Sequence, residues 1–219
     1  RPSNWLTPDM GSFRFVHAAD LHIDSPFSGI GDVDVRVANR LREATYEAFQ
    51  NLVELCLKSD VDFLVFAGDV YDGADRSVRA QLRFRDGLSR LAGEGIQTFV
   101  VHGNHDPLDG WQSSIAWPEG VHIFGAAPEW KNIEKNDEIV AAVQGMSYPT
   151  REVTDNLALQ FGPTQSGSIF TIGLLHANVG GNSAHPNYAP CTVEDLSASG
   201  HCRSRAGNPE GEAIGCETG

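Results

Sequence analysis

The chain has 219 residues, 41% of them hydrophobic, and sets 29 acidic side chains against 16 Lys and Arg, for a formal net charge of −13. That length supports one domain with a sizeable core, and no apolar run approaches the roughly 20 residues that span a bilayer. The acidity opposes long-range attraction to nucleic acid unless bound cations supply positive charge locally.

In chain order, residues 1–12 read as a non-native or flexible extension: Met10 sits just before the first strand, where a natural start fits, and there is no long apolar leader segment. That reading places the protein in the cytoplasm. Phe13–His17 alternates apolar and polar residues and predicts a strand. Val35–Lys58 predicts a helix, with Ala38, Leu41, Thr45, Ala48, Leu52 and Cys56 recurring every three or four residues. Val61–Ala67 is a short apolar run ended by Gly68, so a buried strand, and Ser77 caps a second helix running to about Ala92. Ile96–Val101, ended by Gly103, is a third buried strand. Strands alternating with helices over this stretch imply a parallel sheet with right-handed crossovers.

Shorter strands are expected near Val121–Phe124, Ile139–Gln144 and Ser168–Leu175, separated by turn residues at Gly125–Pro128, Tyr148–Pro149 and Gly162–Gly167. They predict a second sheet packed beside the first. Thr-Val-Glu-Asp at 192–195 has the capping-box pattern of a helix start. Residues 201–219 carry Ile214 as their only large aliphatic side chain and are expected to be disordered. None of the cysteines, Cys56, Cys191, Cys202 and Cys216, forms a C-x-x-C pair; we expect them reduced and unpaired, with Cys56 a small core residue.

Chemistry-bearing residues fall directly after the strands. Asp20 and His22 follow the first, Asp69 and Asp72 the second, Asn104, His105 and Asp106 the third, and His176 a later one. The carboxyl ends of parallel strands share one edge, where ligands bind. A lone D-x-H is weak, a lone G-D-x-x-D is usually a turn with an Asp cap, and a lone histidine is more often a satisfied core residue. Together they describe a two-metal site, in which carboxylate, imidazole and amide oxygen suit Mn²⁺, Fe²⁺ or Zn²⁺ rather than Ca²⁺. Gly68 and Gly103 let the backbone turn and approach the site closely. His102, the last residue of its strand, reads as structural.

The motifs Asp20–His22, Gly68–Asp72, Gly103–Asp106 and the later His176 resemble the signature of calcineurin-like metallophosphoesterases from about Phe13 to Gly200. The finer text, FRFVHAADLHIDSPF, GDVYD and YAPCTVEDL, is similar to bacterial DNA-repair exonucleases of the SbcD type. The resemblance implies an α/β fold, a two-sheet metallophosphoesterase sandwich flanked by helices. It implies two divalent metal ions, Mn²⁺ first with Fe²⁺ or Zn²⁺ as alternatives, that activate a hydroxide. Asp20 and His22 match ligands of one metal, Asp69 the bridging carboxylate, and Asn104 and His176 ligands of the other. His105 matches the catalytic histidine, which helps the leaving oxygen depart. Asp72 and Asp106 match positions that support the loops. DNA is the implied substrate, an SbcC-type coiled-coil ATPase the implied partner, and no membrane is involved.

The family's closing strand and G-H-x-H motif are not found after Gly200; Gly200-His201 imitates the first half, but Arg stands at 203. His201 is therefore not assigned as a ligand. The expectation is a partial domain at 13–200, incomplete at its C-terminus, followed by an out-of-frame or truncated tail. Two alternatives accompany the nuclease reading: a small-molecule phosphodiesterase or phosphatase with the same site, and an inactive fragment lacking the final ligands. Arg76, Arg79, Arg83 and Arg90 share one arc of the second helix and read either as a solvated face or as contacts to a phosphate backbone.

Overall fold

The computed structural model describes residues 13–25, 35–73, 77–110, 115–163, 169–180 and 188–198. Strands β1 (Phe15–Ala18), β2 (Phe63–Ala67), β3 (Gln97–Val101) and β4 (Val121–Ile123) form a parallel sheet in that order. Helices α1 (Val35–Lys58) and α2 (Val78–Gly93) are the crossovers between β1 and β2 and between β2 and β3. A second sheet runs β5 (Glu129–Lys135), β6 (Glu138–Met146), β7 (Phe170–Leu175), the first pair antiparallel and the second parallel. The short β8 (Asn178–Val179) and β9 (Pro190–Cys191) pair in parallel ahead of α3 (Val193–Ala198).

The alternation of β2 explains the layers. Leu64 and Phe66 face α1 and α2, where Phe49, Val53, Cys56, Phe84, Leu88 and Leu91 close one core. Phe63, Val65 and Ala67 face the opposite way, onto Ala141, Val143, Ile172 and Leu174 of the second sheet. A strand buried on both faces reads as an unbroken apolar run, as β2 does. The result is the expected α/β sandwich of two sheets, with α1 and α2 on the outer face of the first. Among the described residues no helix is long and apolar enough to cross a membrane.

The expected elements are present with small shifts of boundary. Ser77 caps α2 by accepting from Ala80 N at 3.0 Å. Thr192 and Asp195 form a reciprocal box at α3: Oγ1 accepts from Asp195 N at 3.1 Å, and Oδ2 accepts from Thr192 N at 2.8 Å. Strand β5 is an addition to the sequence reading. Its charged text, EWKNIEK, hides an edge strand whose one fully buried side chain is Ile133. The signal for it lay in Asn136-Asp137, a two-residue link with both φ positive (54° and 63°), which is the hairpin turn that Asn and Asp favour.

The arginine stripe has a structural use. Arg79 and Arg83 both pair with Glu43, Arg83 lies 4.0 Å above the Tyr46 ring, and Arg90 reaches Glu54 and Gln50. These side chains tie α2 to α1, which favours neither a free solvated face nor a phosphate contact. Arg76, residues 1–12, His201, and the expected tail at 201–219 with Cys202 and Cys216 lie outside the described residues. Cys56 and Cys191 are buried free thiols, both with their pKa pushed up by burial.

Phe84 is fully buried among Phe49, Phe66, Tyr71 and Trp117, with ring centroids 5.2–6.1 Å away. Phe84→Ala is expected to cost about 3–5 kcal/mol in urea unfolding. Leu159→Ala, at a side chain 66% exposed, is expected to stay within about 0.5 kcal/mol of the parent.

Candidate metal centre

The loops after β1, β2, β3 and β7 meet at one end of the sandwich. The last of these belongs to the second sheet, so the site straddles both sheets rather than lying along one edge. The β1 loop is laced to the β2 loop by Asp20 N to Gly68 O, His22 N to Asp69 O and Ile23 N to Val70 O, at 3.2, 3.1 and 2.9 Å. Asp20, His22 and Asp69 all hold left-handed backbone, with φ of 52°, 43° and 51°. Such residues persist only where the surroundings over-determine them, and they cluster at functional sites.

Two glycines permit the approach. A Cβ on Gly103 would overlap Asp69 Oδ1, and one on Gly68, which also has φ of +97°, would meet the His176 ring at 2.6 Å. Any side chain at either position would push a proposed ligand out of place.

Asp20, His22 and Asp69 bring ligand atoms within 4.8 Å of one another. Asp69 Oδ1 accepts from His105 N at 3.0 Å, while Oδ2 lies 3.5 Å from His176 Nε2. His176 Nδ1 donates to Ala67 O at 2.8 Å, which fixes the tautomer and turns the lone pair of Nε2 inward. That lone pair faces Asn104 Oδ1 at 3.2 Å and the Asp69 carboxylate. Acceptors facing acceptors in a site 3–9% exposed at Asp69 and Asn104 repel one another unless a cation lies between them. This donor set fits divalent metal ions, with Asp69 placed to serve both groups. All five residues singled out as ligands, Asp20, His22, Asp69, Asn104 and His176, are brought together.

His105 stands beside them, held by a side chain the sequence reading treated as loop support. Asp72 Oδ1 accepts from His105 Nδ1 at 2.9 Å, and its other oxygen accepts from Ser25 Oγ at 2.5 Å. Asp72 also lies 3.8 Å from His22 Nδ1, so His22, Asp72 and His105 make a second cluster of candidate ligands that shares His22 with the first. The other supporting acid, Asp106, is fully buried and accepts from Gly103 N, Val70 N and His102 Nδ1 at 2.7, 2.9 and 2.9 Å. His102 is thus structural, as expected.

An open cleft of about 310 Å³ gives access, walled in addition by Tyr148, Arg151, Ala177, Asn178 and Tyr188. Sequence reading missed these residues, because Tyr148–Pro149 reads as an ordinary turn and Tyr188 lies far from any ligand motif.

Burial pushes the Asp69 carboxyl above the ordinary carboxylate range, with His176 opposing it. The Asp20 carboxylate beside His22 holds that imidazole above its usual value against burial, and Asp69 and Asp72 add to the effect. For Asp72, burial pushes upward, but the hydrogen bonds from Ser25 and His105 outweigh it and leave the group below its usual range. Metal ions take the deprotonated ligands, so protons compete as pH falls through the raised values of His22 and Asp69. Mn²⁺ affinity measured by calorimetry is expected to fall from pH 8 to pH 6, by up to about tenfold per pH unit for each protonated ligand. Buffers of different ionisation heat should show protons released on binding. A pH-independent affinity without proton release would contradict this ligand set.

Comparison with known proteins agrees with this geometry. Over 187 residues the chain is 40% identical to the uncharacterized metallophosphoesterase YhaO of Bacillus subtilis strain 168, covering 85% of this chain and 46% of that protein. It is 33% identical over 117 residues to the D component of the nuclease SbcCD of Rhodobacter capsulatus, covering 51% of this chain and 26% of that one. It is 34% identical over 83 residues to the DNA double-strand break repair protein Mre11 of Thermoplasma acidophilum, covering 36% and 22%. The chain spans less than half the length of each of these relatives. The calcineurin-like phosphoesterase family model matches residues 13–190, and the chain belongs to that family of metallophosphoesterases.

Proposed function

We propose that the chain carries the site of a metal-dependent phosphodiesterase that cleaves DNA as a repair nuclease in the cytoplasm, with His105 as its catalytic residue. The observation that carries this reading is the inward-facing acceptor set of Asp20, His22, Asp69, Asn104 and His176, with a carboxylate-backed histidine at its edge. When bound, two divalent ions would supply Lewis acidity and an activated water at neutral pH.

The chain's own residues do the rest. Asp20 and His22 would hold one ion, Asn104 and His176 the other, and Asp69 is placed to serve both. Asp72 orients His105 through Nδ1, so Nε2, on the far side of the ring, is the atom that hands a proton to the departing oxygen. Mn²⁺ is the preferred ion of this reading, with Fe²⁺ or Zn²⁺ as alternatives. The nuclease direction draws support from relatives named as nuclease and break-repair proteins. An SbcC-type coiled-coil ATPase is the partner that goes with it.

One observation favours a small-molecule phosphodiesterase instead. The net charge is −13, and Arg79, Arg83 and Arg90 are engaged with α1, leaving no basic stripe for a duplex among them. Mn²⁺-dependent hydrolysis of duplex DNA and of bis-p-nitrophenyl phosphate decides the matter. The nuclease reading expects both to be cleaved and His105→Ala to slow both by about 10²–10⁴-fold. Hydrolysis of the small ester alone supports the second reading. Turnover of neither contradicts both and leaves a fragment that only binds metal.

A further inference from the structure

The loop after β6, Ser147 to Arg151, lends Tyr148 and Arg151 to the wall of the cleft, and it is fastened to the loop that carries Asn104 and His105. Ser147 N donates to Gly125 O at 2.8 Å and its hydroxyl to Phe124 O at 2.7 Å, while His102 N donates to Ser147 Oγ at 2.9 Å. Tyr148 N donates to His102 O at 3.0 Å, Leu108 N to Tyr148 O at 2.9 Å, and Asp109 N to Pro149 O at 3.2 Å. A surface turn has no need of so many ties; these hold Ser147 to Pro149 in register with the proposed metal ligands, two residues before Arg151.

Tyr148 forms the floor of the cleft. Its side chain is fully buried, its ring meets His176 edge-on with centroids 5.7 Å apart, and its hydroxyl has no hydrogen-bond partner among the described residues.

Arg151 stands at the rim and is the one Lys or Arg among the described residues that line the cleft. Several of the described cations are engaged. Arg79, Arg83, Arg85, Arg90 and Lys135 each face a carboxylate. Arg151 is exposed and makes no ion pair or hydrogen bond with any described residue. A planar guanidinium left open beside an acidic metal cleft is suited to a phosphate oxygen, which it grips through two parallel N–H bonds.

We propose that Arg151 is a substrate-anchoring residue, binding a phosphate next to the scissile one in a nucleotide strand, with Tyr148 forming the floor of the same subsite. The inference rests on the phosphodiesterase reading and names the feature that would distinguish a strand from an ester with a single phosphate. It also explains how a protein of net charge −13 whose Arg79, Arg83 and Arg90 are engaged with α1 could hold a polyanion: metal ions and one well-placed guanidinium would do it locally.

The test uses a fluorescein-labelled phosphorothioate hexathymidylate, which resists cleavage, with the full chain in Mn²⁺ and anisotropy as the readout. Arg151→Ala is expected to weaken binding about tenfold and to lower the slope of log affinity against log salt by about 0.7, the value for one lost phosphate contact on a single strand. Arg151→Lys should restore part of the affinity, and Arg85→Ala, whose partner is Asp86, should change nothing. Unchanged affinity and slope in Arg151→Ala overturn the proposal, as does a parent chain that does not bind the strand. Cleavage of unmodified DNA reports separately on the nuclease reading. Loss of cleavage with an intact Arg151 effect overturns that reading alone, and cleavage without an Arg151 effect overturns the anchor alone.

Discussion

The site depends first on the buried carboxyl group of Asp106. It has no exposure to solvent and reaches out of its own loop to Val70 N, in the loop after the neighbouring strand, while also taking Gly103 N and the His102 ring. A buried acid is costly unless its oxygens are satisfied, and hydrogen bonds to a charged group contribute about 1.5–3 kcal/mol each. This one joins the loop that carries Asp69 to the loop that carries Asn104 and His105. Its removal would loosen that junction, leaving the bond from His105 N to Asp69 Oδ1 to join the two loops.

With that joint in place, the remaining geometry follows from sterics. The β1 loop is pinned to the β2 loop by backbone bonds, which fix Asp20, His22 and Asp69 in left-handed conformations that cost of order 1–3 kcal/mol each in isolation. The strain is carried by the scaffold before any ion arrives, so binding does not have to impose it. Gly68 and Gly103 then allow His176, from the other sheet, to close against Asp69 and Asn104. Preorganised ligands whose supports are themselves hydrogen-bonded are what a metal centre with defined chemistry requires.

Much of this was legible in the sequence because it is local. β2 and β3 announce themselves as apolar runs closed by glycine, and the candidate ligand residues follow within a few positions of each strand end. What was not legible depends on partners far along the chain. The arginines of α2 gave a periodic stripe, but Glu43 and Glu54, which neutralise it, lie 36 residues before Arg79 and Arg90. Asp72 reads as a turn acid until His105 is seen on it, 33 residues later in sequence. β5 was hidden by its charges, since an edge strand with one buried side chain carries almost no hydrophobic pattern. Tyr148 and Arg151 sit in what sequence alone describes as a turn, and only the ties to the β3 loop show that this turn belongs to the site.

Under the proposed reading, Asp20, His22, Asp69, Asn104 and His176 converge on divalent ions while Asp72 and His105 stay paired beside them. Anomalous diffraction from crystals soaked in Mn²⁺ tests this most directly. The expected result is one peak contacting Asp20, His22 and Asp69, and a second contacting Asp69, Asn104 and His176, with the Asp72–His105 hydrogen bond intact. A peak seated among His22, Asp72 and His105, with that bond broken, would contradict it, as would no peak at any of these residues.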